Sequence, residues 1–151
     1  MKTPISIRSA EPRDREVLIV LMRRASLANP GDREALLAHP EAIDVPVEQL
    51  TSDMTCIAEL AGVPAGFATV LPRPDGEAEL DGLFVEPHLW RSGVGRALVA
   101  RAIELARGGD ARFLHVVANP HAFDFYRAVG FVDFGIAETQ FGSGALMRIP
   151  L

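Results

Sequence analysis

Apolar and polar residues alternate along Ile5-Ser6-Ile7-Arg8, as they do on a half-buried strand. The period then changes. Behind Pro12, which suits the first turn of a helix, Val17, Leu18, Leu21, Met22 and Ala25 recur at helical spacing. Asn29-Pro30-Gly31 breaks that helix, and Asp32 is expected to cap a second one through Ala35, Leu36 and Leu37, ending before Pro40. Thr55 to Leu60 reads as a strand, Ala61-Gly62-Val63-Pro64 as the turn after it, and Ala65 to Leu71 as the returning strand. A loop built on Pro72, Pro74, Asp75 and Gly76 leads to a fourth strand, Ala78 to Val85. A helix over about 93–107, a strand over about 112–117, a short helix over about 120–129 and two closing strands complete the chain.

The order β-α-α-β-β-β-α-β-α-β-β predicts an α/β fold with a mixed sheet, because central hairpins give way to a β-α-β crossover. No repeat, low-complexity stretch or linker divides the chain, so its 151 residues are expected to form one domain, 1–151.

Composition narrows the function. With 48% hydrophobic and 23% charged residues the chain is ordinarily globular, and no apolar run is long enough to span a bilayer. Pro4, Arg8 and Glu11 interrupt the N-terminus where a signal-peptide core would lie. Cys56 stands alone, which excludes an internal disulfide and a cysteine zinc cage. A cytoplasmic location is expected by elimination. The net charge is −5, and the 15 Lys and Arg are scattered rather than gathered into a basic stripe, so neither nucleic acid nor membrane is expected as a partner. The 4 histidines include no pair at the i, i+4 spacing of a helical zinc site, and no metal is expected.

The most informative segment is Val85-Glu86-Pro87-His88-Leu89-Trp90-Arg91-Ser92-Gly93-Val94-Gly95-Arg96-Ala97-Leu98. A strand ends, Pro87 fixes a turn, and Gly93 and Gly95 open a helix whose first amides lack intrahelical partners. A diphosphate suits that place. Leu98 stands where a dinucleotide fold wants Gly or Ala, and the Gly-Lys-Ser/Thr of a P-loop is absent. Along the preceding strand, simple alternation puts Glu79, Asp81, Leu83 and Val85 on one face and Ala78, Leu80, Gly82 and Phe84 on the other, unless a bulge at Gly82 shifts the facing. An acid inside such a strand is either paired, solvated or used in chemistry. Downstream, Asn119 is placed to cap a short helix with Pro120 in its first turn, Gly130 ends it, and Tyr126 is the 1 tyrosine of the chain. The bland alternative for Tyr126 is a core aromatic; the functional one is a proton donor.

Together these segments resemble the GCN5-related N-acetyltransferase superfamily. Ala78 to Pro87 leads into Trp90-Arg91-Ser92-Gly93-Val94-Gly95, which resembles the family's coenzyme loop, although Trp90 stands where Gln or Arg is usual. Asn119-x-x-Ala122-x-x-Phe125-Tyr126-x-x-x-Gly130-Phe131 resembles the later family pattern, and Ile7-Arg8-x-Ala10-x-x-x-Asp14 its N-terminus. The resemblance implies an acetyl-CoA-dependent N-acetyltransferase acting on an amine by direct attack. It implies that the fourth and fifth strands splay, with Leu83 and Val85 pairing with the pantetheine, Arg91, Ser92, Gly93, Val94, Gly95 and Arg96 at the diphosphate, and Phe84, Asn119 and Phe125 also binding the coenzyme. Glu79 is the first choice of base, Asp81 the second, and Tyr126 the acid; Cys56 is read as packing. A homodimer is compatible with the family. The competing reading is a non-catalytic acetyl-CoA sensor, with a longer acyl donor or an aminoacyl-tRNA acceptor as further rivals. Acceptor choice is expected to rest on Asp32 to Glu48 and on Glu138-Thr139-Gln140-Phe141-Gly142. Glu41, Asp44, Glu48 and Asp53 suit a cationic acceptor, or equally an ordinary solvated surface.

Overall fold

The computed structural model describes residues 3–139 and 142–151; Gln140 and Phe141, named above for acceptor choice, lie outside the described residues. One sheet of seven strands runs in the order β1-β2-β3-β4-β5-β7-β6. Its members are β1 (Ile5–Ser9), β2 (Thr55–Leu60), β3 (Val63–Pro72), β4 (Ala78–Val85), β5 (Phe113–Ala118), β6 (Val132–Thr139) and β7 (Gly142–Pro150). The helices are α1 (Arg15–Leu27), α2 (Pro30–Ala38), α3 (Val94–Arg107) and α4 (Phe123–Ala128). This is the expected mixed α/β order. No helix among the described residues is long and apolar enough to cross a membrane.

The helices cover the sheet unevenly. The apolar half of α3 buries Val94, Leu98, Val99, Ala102 and Ala106, as its 3.6 period requires. It packs with Tyr126 of α4 and with Cys56, Ala68, Leu80, Leu114 and Val116 of the strands. On the other side Leu18 and Leu21 of α1 meet Ile57 and Phe67, with Phe84 packed against them. Val17 faces solvent instead.

Four local expectations are corrected. Helix α2 begins at Pro30, with extended Asn29 as its cap residue, so Asp32 lies in the first turn rather than capping it. Strand β3 begins two residues early: Ala61 and Gly62 take φ of 51° and 79° and alone form the turn, with Leu60 opposite Val63. The segment after β5 starts as a 3-10 turn, Pro120–Ala122, and Asn119 makes no side-chain cap bond there.

The fourth correction matters most. Thr69 pairs with Gly82 and Val70 with Leu80, so Asp81 is the extra residue of a bulge. The alternation changes phase at that point. Leu83 and Val85 join Ala78 and Leu80 on the α3 side, while Phe84 turns to the α1 side.

Candidate functional site

Strands β4 and β5 are parallel neighbours but pair only at Ala78↔Leu114 and Glu79↔His115. Beyond that point they part, and a cleft of about 890 Å³ opens between them. One wall is β4 and the loop after it. The other is β5 with Asn119, Phe125 and Tyr126, and Ala25, Ser26, Asn29 and Asp32 close the end nearest α1 and α2.

The loop that joins β4 to α3 is held by its own backbone. The Trp90 indole Nε1 donates to the Val85 carbonyl at 2.9 Å, the Leu89 amide to Glu86 O at 2.8 Å, and the Ser92 hydroxyl to Leu89 O. Gly93 then caps α3 at φ 94°, a left-handed conformation costly for any residue with a β-carbon. The first helical bond of α3 runs from the Ala97 amide to Gly93 O at 3.0 Å. Among the described residues the amides of Gly93, Val94, Gly95 and Arg96 have no acceptor, which leaves the positive end of the α3 dipole bare. A β-carbon on Gly95 would stand 3.1 Å from the Phe125 ring, so the helix end rests directly on the facing wall.

Of the residues named from sequence for the coenzyme, Leu83, Phe84, Val85, Arg91, Gly93, Gly95, Arg96, Asn119 and Phe125 line this cleft. Two do not. The Ser92 hydroxyl is spent on Leu89, and the Val94 side chain is buried in the core. Arg91 sits at φ 66°, a strained position for a non-glycine residue.

The candidate acid and base groups separate. Asp81, freed from the ladder by the bulge, lines the cleft while remaining exposed to solvent, and partial desolvation by the cleft walls pushes its pKa up. Tyr126 is buried, with Phe125 and Phe131 edge-on at 5.2 and 5.3 Å between ring centroids. Its hydroxyl has no hydrogen-bond partner among the described residues, and burial raises its pKa. Glu79 does not line the cleft. It lies in a neighbouring cavity of about 320 Å³ with His115 and Arg148, and Val116 and Val117 line both spaces.

At the cleft mouth His121 Nε2 stands 3.6 Å from Asp32 Oδ2, bridging the two walls. Desolvation raises the Asp32 pKa, against the opposing pull of His121. Of the acids considered for a cationic acceptor, Asp44 pairs with Arg15 at 2.8 Å and Glu41 faces His39 at 3.2 Å. Sequence reasoning did not place Ala25, Ser26 and Asn29 in the site; the structure buries Ser26 at the end of the apolar face of α1.

The description "Acetyltransferase (GNAT) family" matches residues 25–131 of the chain. The PaiA N-acetyltransferase of Thermoplasma acidophilum, solved with coenzyme A, is similar with a TM-score of 0.78 at 19% identity, over 98% of this chain and 99% of that one. A GCN5-related N-acetyltransferase from Rhodopseudomonas palustris has a TM-score of 0.78 at 26% identity, over 100% and 99%. A Bacillus anthracis protein described as a "putative streptothricin acetyltransferase", solved with acetyl coenzyme A, has a TM-score of 0.59 at 22% identity, over 64% and 61%. No curated protein sequence matches the chain.

Proposed function

This chain belongs to the acetyltransferase (GNAT) family, and from that membership we propose that it transfers the acetyl group of acetyl-CoA to a primary amine of a small molecule or peptide by direct attack. The observation that carries the reading is the row of bare amides at Gly93 to Arg96, opening on a cleft that also holds a carboxyl and a phenol. Relatives of the same fold were solved with coenzyme A and acetyl coenzyme A, which supports the same donor here.

The fit follows from the donor set. Amides of Gly93 to Arg96, with Arg91 and Arg96 beside them, suit a diphosphate. The unpaired backbone of β4 beyond Leu80, on the side toward β5, suits an extended amide-bearing arm. Bound there, acetyl-CoA supplies an activated acetyl thioester.

The chain's own groups then manage protons. A lysine-like amine, pKa about 10.4, is mostly protonated at neutral pH and unreactive. Asp81 accepts its proton, directly or through water, and the raised pKa brings that carboxylate nearer to working pH. As the N–C bond forms and the C–S bond breaks, Tyr126 gives its proton to the sulfur. An ammonium loses two protons on becoming an amide. One leaves to solvent through Asp81, and the other balances the proton that ends on the thiol. Because Tyr126 sits in the same water-poor wall, desolvation raises the proton affinity of the sulfur as well as of the phenol. No covalent enzyme intermediate is required. Cys56 is buried off the cleft with its thiol pushed up to about 11, which suits packing. A sensor that only bound the coenzyme would need neither Asp81 nor Tyr126 in the cleft.

The test has two arms. Calorimetry with CoA should give one site per chain, and acetyl-CoA with an amine panel should release free thiol. Absence of heat with CoA removes the proposal; heat without thiol release from any amine favours the sensor.

A further inference from the structure

Glu79, His115 and Arg148 stand in one row across three neighbouring strands. Glu79 of β4 is registered with His115 of β5, and His115 with Arg148 of β7. At about 4.8 Å per strand, the Cα atoms at the two ends lie roughly 10 Å apart. All three residues line the 320 Å³ cavity, which shares Val116 and Val117 with the lining of the neighbouring cleft. Among the described residues no helix contributes to the lining of this cavity; Phe134, the bulge residue of β6, lines it.

The charges in this cavity are not used up internally. Arg73 and Asp75 on its rim pair with each other at 2.9 Å. Among the described residues the Arg148 guanidinium has no hydrogen bond and no carboxylate partner. Its guanidinium carbon is held 4.2 Å from the centroid of Phe113 and 4.7 Å from that of Phe134. Two aromatic faces thus fix the cation while leaving the in-plane N–H fork unoccupied. Glu79 likewise has no partner among the described residues. His115 stands between them and keeps them from pairing.

His115 supplies an independent observation. It is 7% exposed, and its Nδ1 is buried with no hydrogen-bond partner. Nε2 lies 3.9 Å from Glu77 Oε2. Desolvation first, and the Arg73 charge second, hold its pKa below the usual value, so the ring is neutral at pH 7. The neutral ring thus spaces Glu79 from Arg148 without adding charge between them.

We infer that this cavity anchors the acceptor, and that the acceptor is an amine bearing a carboxylate, with its carboxylate on Arg148 and its ammonium drawn toward Glu79. Asp81 stands two residues beyond Glu79 on the same strand, so the amine is drawn toward the group proposed to deprotonate it. An unpaired cation and an unpaired anion at opposite ends of one cavity match a zwitterion better than a plain cation or a neutral amine. The inference rests on the acetyl-transfer reading and names its substrate class.

The experiment measures thiol release from acetyl-CoA with matched probes: glycine, β-alanine, 4-aminobutyrate and lysine, each beside its own carboxamide. At least one acid should exceed its carboxamide by tenfold or more in kcat/KM. Arg148→Met should bring that acid down to the level of its amide, and Arg148→Lys should recover part of the difference. The KM for acetyl-CoA reports whether each variant is folded. Wild-type protein that uses amides as well as acids overturns the inference, as does failure to use any acid or an Arg148→Met protein that keeps the preference. Failure of CoA itself to bind in calorimetry removes the coenzyme reading together with this one; CoA binding with no acid preference removes this one alone.

Discussion

Arg24 near the end of α1 grips Glu86 at the end of β4 through both carboxylate oxygens, Nη2 to Oε1 at 2.9 Å and Nε to Oε1 and Oε2 at 3.1 and 3.2 Å. Glu86 is buried while Arg24 is half exposed, so the pair fastens a surface helix to the root of the loop that joins β4 to α3. Arg24→Ala leaves a buried carboxylate with only His88, whose Nδ1 stands 4.0 Å from Glu86 Oε2. With solvent screening of the exposed arginine, the cost should be about 1–2 kcal/mol, read from denaturant midpoints. The KM for acetyl-CoA should rise as well, because the loop loses its anchor.

Asp81→Asn tests the proposed base. Its kcat should fall by about 10²–10⁴-fold while CoA affinity stays within about twofold, whereas Glu79→Gln should act mainly on the acceptor KM. The sign of the pH effect follows from the raised pKa. The carboxylate works only when ionised, so activity falls as pH drops through a value above the ordinary carboxylate range. Stability runs the other way. A carboxyl whose folded pKa exceeds its unfolded one favours the fold in its protonated form, and that advantage is lost as pH rises from the unfolded value through the folded one. At pH 7 the Asn variant should therefore unfold at the same or a higher temperature than the parent, and a clear loss of stability would contradict the assignment.

Tyr126→Phe separates chemistry from packing. The hydroxyl holds no partner among the described residues, so the ring should fill the same space and the melting temperature should stay within a few degrees. A fall in kcat of about 10²-fold or more, with unchanged CoA affinity, is expected if the phenol is the acid. Because burial raises the Tyr126 pKa, the parent enzyme should show no loss of this proton at neutral or mildly basic pH. Equal rates for parent and variant would exclude the role.

Gly93→Ala places a β-carbon at φ 94°, where it meets nothing closer than Ile5 at 3.9 Å. The penalty is therefore conformational rather than steric crowding, roughly 1–2 kcal/mol. Relief by backbone rotation would turn the bare amides away, so CoA affinity measured by calorimetry should drop by about tenfold or more. An unchanged affinity would mean that the diphosphate sits elsewhere.

Much of this was legible because period and punctuation are local properties. The limits of β4 and the apolar stripe of α3 follow from alternation and from a 3.6 period, and the Gly93-Val94-Gly95 start needs no tertiary information. The Ala61-Gly62 turn was read too long because alanine at φ 51° is not a turn signal. The bulge at Asp81 decides which residues of β4 face which core, and it arises from pairing with β3, not from β4 alone. For the same reason spacing favoured Glu79 as the base, whereas the cleft opens beside Asp81. His115, Arg148 and Phe134 are far apart in sequence and meet only through strand register, so no local pattern could have joined them.

The parting of β4 from β5 gives the sheet two edges in its interior, where strand backbone is normally spoken for. An internal seam of this kind is exposed to the hazard of any unprotected border: it can zip shut, or take in a stray strand from another molecule. The extra residue at Asp81 counters both, since it bends β4 against β3 and plants a carboxyl beside the opening. The carboxyl proposed to move protons is thereby also a wedge. An apolar residue at that position would forfeit the seam's guard along with its chemistry, and aggregation should accompany inactivity.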